Sequence, residues 1–115
     1  MPKSILVADD DKSLLDIYRR MFSATDYAIT LAATFTEAAG LIEKNDYDLL
    51  ITDLMFPDGV GTELIRLFGK KKEGAKSMLV TGSASMLESE HLPAVYFEKP
   101  FKLDVLLAAV ASTLA

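Results

Sequence analysis

Asp48-Leu49-Leu50-Ile51-Thr52-Asp53 is an apolar run that ends on a carboxylate, and it decides the fold. Its three central residues are consecutive rather than alternating with polar ones, which is typical of a strand buried on both faces in a parallel sheet. Asp53 then stands where the strand leaves the core, and residues 54–59 are predicted to form the following loop. Ligands of open α/β sheets gather beyond the carboxyl ends of the strands. Asp53 is therefore the first candidate for a functional residue.

Length and composition predict one globular domain over residues 1–115, since half of the residues are apolar and a quarter are charged. No apolar stretch is long enough to span a bilayer and no secretory signal is recognised, so we expect no membrane partner. The absence of cysteine excludes a disulfide framework and a thiolate metal site, and fits a reducing, cytoplasmic setting. The formal charge of −5 argues against direct nucleic-acid binding but leaves room for a divalent cation.

Strand-like runs alternate with helical periodicity along the whole chain. Strands are predicted at 4–8, 27–32, 49–52, 77–81 and 94–97. Helices are predicted from residue 14, after the cap at 34, through residues 64–68, between residues 85 and 92, and through residues 103–114. Five strands that alternate with five helices imply right-handed crossovers and a parallel sheet covered on both faces. The predicted fold class is a doubly wound α/β domain.

Local signals mark the helix ends and the buried sides of the helices. Asp11 or Ser13 is predicted to cap the first helix, and Thr34 with Glu37 forms a capping-box pattern for the second. Gly69 and the three lysines after it are expected to close the third helix. Two helices show clear apolar stripes, made by Leu14, Ile17, Tyr18, Met21 and Phe22 in the first and by Leu103, Leu106, Leu107, Val110 and Leu114 in the last.

Polar side chains stand at the ends of four predicted strands. Asp9 and Asp10 follow the first strand, Asp53 the third, Thr81 ends the fourth, and Lys99 lies just past the fifth. The ends of parallel strands share one rim, so three carboxylates are expected to crowd together, which disfavours joint ionisation unless a cation neutralises them. Carboxylate oxygens and waters suit Mg²⁺, which completes its shell with phosphate oxygens. A lysine ammonium and a hydroxyl suit the oxygens of a phosphoryl group.

This pattern resembles the receiver domain of two-component response regulators. The resemblance covers nearly the full length and rests on Val7-Ala8-Asp9-Asp10-Asp11, on Asp53 to Pro57 with Gly61, on Leu79-Val80-Thr81-Gly82 and on Lys99-Pro100-Phe101. It implies the flavodoxin-like (βα)5 fold with strand order 2-1-3-4-5, which composition alone does not show.

The resemblance also implies roles for individual residues. Asp53 would be the phosphoacceptor, a carboxylate nucleophile that forms an aspartyl phosphate. Asp9, Asp10, Asp53 and the main-chain carbonyl of Met55 would hold Mg²⁺ or Mn²⁺. Lys99 and the Thr81 hydroxyl would bind the transferred phosphoryl group.

Thr81 would bind the phosphoryl group and act with Tyr96 as a switch. By the resemblance, phosphorylation biases the face made by the fourth helix, the fifth strand and the fifth helix, and so changes partner binding or dimerisation. The implied partners are a sensor histidine kinase or a histidine phosphotransfer protein, a downstream effector, and a second copy of the chain on activation. The domain would not be an enzyme beyond its own phosphorylation and dephosphorylation.

Simpler explanations exist for each residue, since an acidic helix start, an Asx turn or a solvated loop lysine is common by itself.

Three other classes of protein also share parts of the pattern. A Mg²⁺-dependent aspartate-nucleophile phosphatase should carry an Asp at position 55, where this chain has Met55. A flavodoxin-like cofactor binder should have a Ser/Thr/Gly-rich loop where residues 9–11 are aspartates. A pseudo-receiver that binds partners without phosphorylation stays open.

Overall fold

The computed structural model describes residues 2–82 and 96–115. The elements are, in chain order, β1 (Ser4–Ala8), α1 (Lys12–Ser23), β2 (Ala28–Ala32), α2 (Phe35–Lys44), β3 (Leu49–Thr52), β4 (Met55–Phe56), β5 (Gly59–Val60), α3 (Gly61–Lys71), β6 (Lys76–Thr81), β7 (Tyr96–Glu98) and α4 (Leu103–Leu114). The helix predicted from residue 85 and the first two residues of the predicted fifth strand lie outside the described residues.

Five strands form a parallel sheet in the order β2-β1-β3-β6-β7. Since β6 and β7 are the fourth and fifth strands of the sequence prediction, the flavodoxin-like order 2-1-3-4-5 is confirmed. In the register of the sheet, Ala8 pairs with Ala32 on one side and with Thr52 on the other, so these three strands end level with one another. Thr81 pairs with Glu98 at the same edge. The predicted rim of strand ends therefore exists.

Helices cover both faces of the sheet, as the sequence predicts. Alternate residues of β1 point to opposite faces: Ile5 and Val7 belong to one buried cluster, and Leu6 and Ala8 to the other. The first cluster contains the buried sides of α1 and α4, and the second those of α2 and α3. This two-sided burial explains why the strands read as continuous apolar runs. Among the described residues, no helix combines the length and the apolar character that crossing a bilayer requires.

The buried sides of two helices differ from their predicted stripes. In α1, Leu15 is buried and Ile17 is 40% exposed, because the helix packs through Leu15, Tyr18, Met21 and Phe22. In α4, Leu103 is 41% exposed at the first turn. Both exposed side chains line one shallow apolar groove of about 360 Å³ beside the loop between β7 and α4.

Two local predictions about the segment after β3 were wrong. The predicted loop contains a small antiparallel hairpin, in which Met55 pairs with Val60. Helix α3 continues through Gly69 to Lys71, and the ammonium of Lys71 donates to the carbonyl oxygens of Ile42, Glu43 and Asn45 at the end of α2. A Gly inside a helix costs only about 1 kcal/mol relative to Ala, which the packing of α3 against α2 can offset.

The predicted caps are present. The carboxylate of Asp11 accepts hydrogen bonds from the backbone of Ser13 and Leu14, so Asp11 rather than Ser13 caps α1. The Thr34 hydroxyl accepts from the backbone of Glu37, whose own carboxylate accepts from the N–H of Ala33. Both caps lie next to strand ends and so hold the helix starts at the rim.

Candidate functional site

Backbone hydrogen bonds carry the sheet register one residue beyond the strand ends. The N–H of Asp9 donates to the carbonyl of Ala32 at 3.0 Å, and the N–H of Asp53 donates to that of Ala8 at 2.9 Å. On the other side of the sheet, the N–H of Lys99 donates to the carbonyl of Thr81 at 3.0 Å. These bonds place the backbones of the predicted site residues on one rim.

Three carboxylates meet at this rim. Asp9, Asp10 and Asp53 each offer one oxygen, and these oxygens all lie within 4.8 Å of one another. Asp9 is 1% exposed and Asp53 is 9% exposed, whereas Asp10 is open to solvent. The cluster is therefore buried on the sheet side and accessible on the side of Asp10, as a site that exchanges an ion or a small group with solvent must be.

The ammonium of Lys99 bridges the two buried carboxylates. Its Nζ lies 3.0 Å from Oδ2 of Asp9 and 3.2 Å from Oδ2 of Asp53. Burial alone would lower the pKa of Lys99, but its hydrogen bond and charge attraction to Asp9, with the attraction to Asp53, raise that pKa overall. Lys99 is therefore a permanent cation at this site.

The other oxygen of each buried carboxylate is held by the backbone. Oδ1 of Asp9 accepts from the N–H of Asp11 at 2.9 Å, and Oδ1 of Asp53 accepts from the N–H of Leu54 at 2.8 Å. Burial raises the pKa of Asp9 despite the N–H of Asp11 and the ammonium of Lys99, and the charge of Asp53 adds to the increase. Asp9 consequently holds its negative charge at a cost, which an added cation would relieve.

The loop after Asp53 passes very close to its backbone. The N–H of Gly61 donates to the carbonyl of Leu54, and a Cβ at position 61 would lie 1.8 Å from the carbonyl oxygen of Asp53. The Thr52 hydroxyl donates to the same oxygen at 2.9 Å. Gly61 is thus required by a close approach. Gly61 is part of the receiver motif around Asp53 that the sequence shows. The hydrogen bond of Thr52 to the Asp53 carbonyl was not predicted, because it depends on how the chain turns after β3.

Thr81, Met55 and Tyr96 are the other residues to which the resemblance assigns a role. Thr81 is 1% exposed at the end of β6. Met55 begins the hairpin with its side chain 47% exposed, and Tyr96 begins β7 with its side chain 43% exposed. The structure therefore places both switch candidates on the two strands next to the site, β6 and β7.

Sequence reasoning placed Tyr18 in the apolar stripe of the first helix and assigned it no other role. Its ring is fully buried beneath the sheet, and its hydroxyl has no hydrogen-bond partner within residues 2–82 and 96–115. Burial raises the pKa of this hydroxyl, and the negative charges of Asp9 and Asp53 raise it further. The available signal was a tyrosine in an otherwise apolar helical stripe that starts at the acidic cluster.

A model of the response regulator receiver domain matches residues 5–111 of the chain. The chain belongs to this family. The receiver domain is 32% identical over 120 residues to the response regulator MprA of Mycobacterium sp. (strain KMS), and this alignment covers 99% of the chain and 51% of MprA. It thus spans about half the length of the curated relatives it matches. Membership of the family argues against the phosphatase and the flavodoxin-like cofactor binder.

Solved structures of receiver domains share the fold. A CheY-like receiver domain protein from Methanospirillum hungatei JF-1 has a TM-score of 0.90 at 31% identity, covering 99% of this chain and 94% of that one. The response regulator TrrA of Thermotoga maritima, in complex with Mg²⁺ and BeF, has a TM-score of 0.84 at 31% identity, covering 97% and 99%. The acidic cluster of the present receiver domain offers the carboxylate oxygens that such a cation requires.

Proposed function

We propose that Asp53 is the phosphoacceptor of this receiver domain and takes a phosphoryl group from a phosphohistidine. The observation that carries the proposal is the position of its Oδ2, which lies 3.2 Å from the Lys99 ammonium and within the cluster formed with Asp9 and Asp10. Its Oδ1 is held by the N–H of Leu54, so the carboxylate keeps one orientation. A positioned carboxylate beside a cation is the arrangement that nucleophilic catalysis by aspartate needs.

The chemistry follows from these contacts. An oxygen of Asp53 attacks phosphorus, the bond between phosphorus and the donor's imidazole nitrogen breaks, and its electron pair leaves with the nitrogen. Lys99 turns from the two carboxylates to the transferred phosphoryl oxygens, whose charge it offsets. The Thr81 hydroxyl donates to another of these oxygens. The buried edge of the site limits the access of water to the product.

Asp9, Asp10, Asp53 and the main-chain carbonyl of Met55 would hold Mg²⁺ or Mn²⁺. The donor set fits a hard cation because it consists of oxygens. Burial raises the pKa of Asp9, so its negative charge is costly and a bound cation would lower that cost. When bound, the cation supplies positive charge that offsets the charge of the incoming phosphoryl group.

Thr81 and Tyr96 would convert phosphorylation into a change at the surface. A phosphoryl group adds nearly two negative charges and several strong acceptors. Thr81 lies on β6 and Tyr96 on the neighbouring β7, where Tyr96 pairs with Leu79. If Thr81 moves toward the phosphoryl group, the exposed Tyr96 ring turns inward beside it and alters the face that partners contact. The predicted fourth helix of this face lies outside the described residues.

The partners proposed for the domain are a sensor histidine kinase or histidine phosphotransfer protein, an effector, and a second copy of the chain on activation. Family membership supports the phosphodonor, and the greater length of the curated relatives supports an effector in proteins of this kind. We further propose that residues 1–115 form one receiver domain whose chemistry is limited to its own phosphorylation and dephosphorylation. The cytoplasmic setting and the absence of direct nucleic-acid binding stay predictions.

The first prediction is that Asp53→Asn abolishes phosphoryl uptake. Acetyl phosphate with Mg²⁺ should add the mass of one phosphoryl group to the unmodified chain, measured on the intact protein. The Asn variant should gain none, because an amide is a poor nucleophile, whereas Asp48→Asn at the opposite end of β3 should take up phosphoryl as before. Uptake by the Asp53→Asn variant would move the acceptor elsewhere, and no uptake by the unmodified chain would favour the pseudo-receiver.

A further inference from the structure

Tyr18 presents an unused hydrogen-bond donor inside the protein. Its side chain is fully buried in the core between α1, the sheet and α4, and its hydroxyl has no partner in the described parts of the chain. Buried polar groups are almost always paired, so an exception calls for an explanation. A phenylalanine would fill the same space without this cost. The hydroxyl is therefore a candidate for a function that the resting structure does not use.

The ring of Tyr18 packs against the segment that carries Lys99. It lies nearly parallel to the ring of Phe101, with a centroid distance of 6.2 Å and an interplanar angle of 24°. The Tyr18 ring also stacks on Phe22, which in turn contacts Tyr27. Phe101 follows Lys99 by two residues, so the position of the Tyr18 ring restrains the backbone from which the ammonium extends.

The hydroxyl of Tyr18 also lies within the field of the acidic cluster. Long helical side chains lean toward the N-terminus of their helix, and α1 begins at the rim, next to its cap Asp11. Burial is the main cause of the raised pKa of Tyr18, and the negative charges of Asp9 and Asp53 come next. Their effect agrees with a hydroxyl that points toward the rim. The hydroxyl is therefore buried and lies close enough to the two carboxylates for their charges to act on it.

Phosphoryl transfer changes the partners of these carboxylates. In the resting structure, Oδ2 of Asp9 relies on the ammonium of Lys99. Under the proposed function, Lys99 turns to the phosphoryl oxygens, and Asp9, at 1% exposure, keeps the proposed cation but loses the ammonium as a hydrogen-bond donor. A buried charge without its donor is costly. A spare buried hydroxyl that reached Asp9 would lower this cost.

We propose that Tyr18 is a positioning residue of the phosphoryl-transfer site, whose ring restrains the Lys99–Phe101 segment and whose hydroxyl donates a hydrogen bond to Asp9 when Lys99 turns to the phosphoryl group. This inference rests on the proposed function and adds to it a residue outside the receiver motifs quoted above. It assigns the hydroxyl a role only in the phosphorylated or phosphoryl-like state.

The test compares Tyr18→Phe, which removes only the hydroxyl, with Tyr27→Phe as a matched control in the same row of rings. The rate of phosphoryl uptake from acetyl phosphate with Mg²⁺ should fall about tenfold in Tyr18→Phe, the scale of one hydrogen bond to a charged group, and should not change in the control. Resistance to urea should be equal or higher in Tyr18→Phe, since the resting hydroxyl is unpaired. A purely structural role would not slow uptake in a variant of undiminished stability.

A second measurement follows the hydroxyl directly. The chain has four tyrosines and no tryptophan, so its near-ultraviolet absorbance reports tyrosine environments. Adding beryllofluoride with Mg²⁺ should change this spectrum in the unmodified chain and in Tyr27→Phe, and a component of the change should be missing in Tyr18→Phe. Uptake at the unmodified rate by Tyr18→Phe, or an equal loss in the control, would overturn the inference while the proposed function stands. No uptake by the unmodified chain would overturn both.

Discussion

The two ends of the parallel sheet both carry an aspartate paired with a lysine, yet the pairs differ in kind. At the amino ends of the strands, Asp48 accepts from the backbone N–H of Ser4 at 2.8 Å and lies 3.4 Å from the ammonium of Lys72. The hydrogen bond from Ser4, followed by Lys72, lowers the pKa of Asp48. At the rim, burial raises the pKa of Asp9 although Lys99 is only 3.0 Å away.

The difference lies in burial and in how many carboxylates share a cation. Asp48 is about one-third exposed and its charge is met by a backbone donor and a lysine, so this pair is complete. At the rim, Lys99 serves two carboxylates and a third stands beside them. An aspartate–lysine contact by itself is therefore uninformative about function. Excess buried negative charge at an accessible edge is the feature on which we base the proposed site for a cation and a phosphoryl group at the rim.

The largest difference between the two ends of the sheet is expected in the rate of phosphoryl uptake when their lysines are replaced. Lys99→Ala should reduce the rate of phosphoryl uptake about a hundredfold, the scale of removing one preorganised charge from a transition state. Lys72→Ala should leave the rate unchanged, because its ammonium serves Asp48 and the carbonyl of Tyr47. Intact mass over time with acetyl phosphate measures both. Equal losses in the two variants would contradict the distinction between the ends.

A smaller effect is expected on stability when a cation is added. Mg²⁺ that binds the folded chain at about 100 times its dissociation constant should raise the free energy of unfolding by about 2.7 kcal/mol. Urea titrations with and without Mg²⁺ measure this gain. Asp48→Asn should keep the full gain and Asp10→Asn should lose most of it, since Asp10 belongs to the cluster. A gain that survives Asp10→Asn would place the cation elsewhere.

Much of this rim could be predicted from the sequence, because parallel strands buried on both faces read as apolar runs and polar residues stop them. The run before Asp53 shows both features. The strand order could not be obtained that way, since any order of buried strands satisfies the same pattern, and it came from the family resemblance. Side-chain contacts between distant segments were also out of reach. That Lys99 bridges Asp9 and Asp53 depends on the register of the sheet and on rotamers.

The other features that the sequence did not predict depend on the three-dimensional arrangement of the chain. Helical periodicity identifies an apolar stripe in α1 but not its centre, so it included Ile17 and omitted Leu15. The contact of the Thr52 hydroxyl with the Asp53 carbonyl appears only once the turn into the hairpin is known. Tyr18 looked like an ordinary core residue, because the sequence does not show whether a buried hydroxyl finds a partner.

The smallest expected effect is on the pH dependence of stability. It measures directly how the aspartates at the two ends of the sheet differ. The pKa of Asp9 is raised in the folded chain, so the folded state binds this proton more tightly than the unfolded state and ionisation of Asp9 costs stability as pH rises. Without Mg²⁺, Asp9→Asn should therefore raise the free energy of unfolding at neutral pH, since Lys99 keeps Asp53 as a partner. The gain should vanish in acid, below the ordinary aspartate pKa of 3.8, where Asp9 is protonated in both states.

Asp48 should behave in the opposite way. Its pKa is lowered, so its contribution is present above the ordinary value of 3.8 and is lost as pH falls through the lower folded value. Asp48→Asn should reduce stability at neutral pH by less than about 1 kcal/mol, since the site is partly exposed to solvent. Urea titrations from neutral to acid pH should thus give differences of opposite sign that both shrink toward acid. If both variants lost stability at neutral pH, the charge of Asp9 would be stabilising, and the rim would lack the excess negative charge from which its function is inferred.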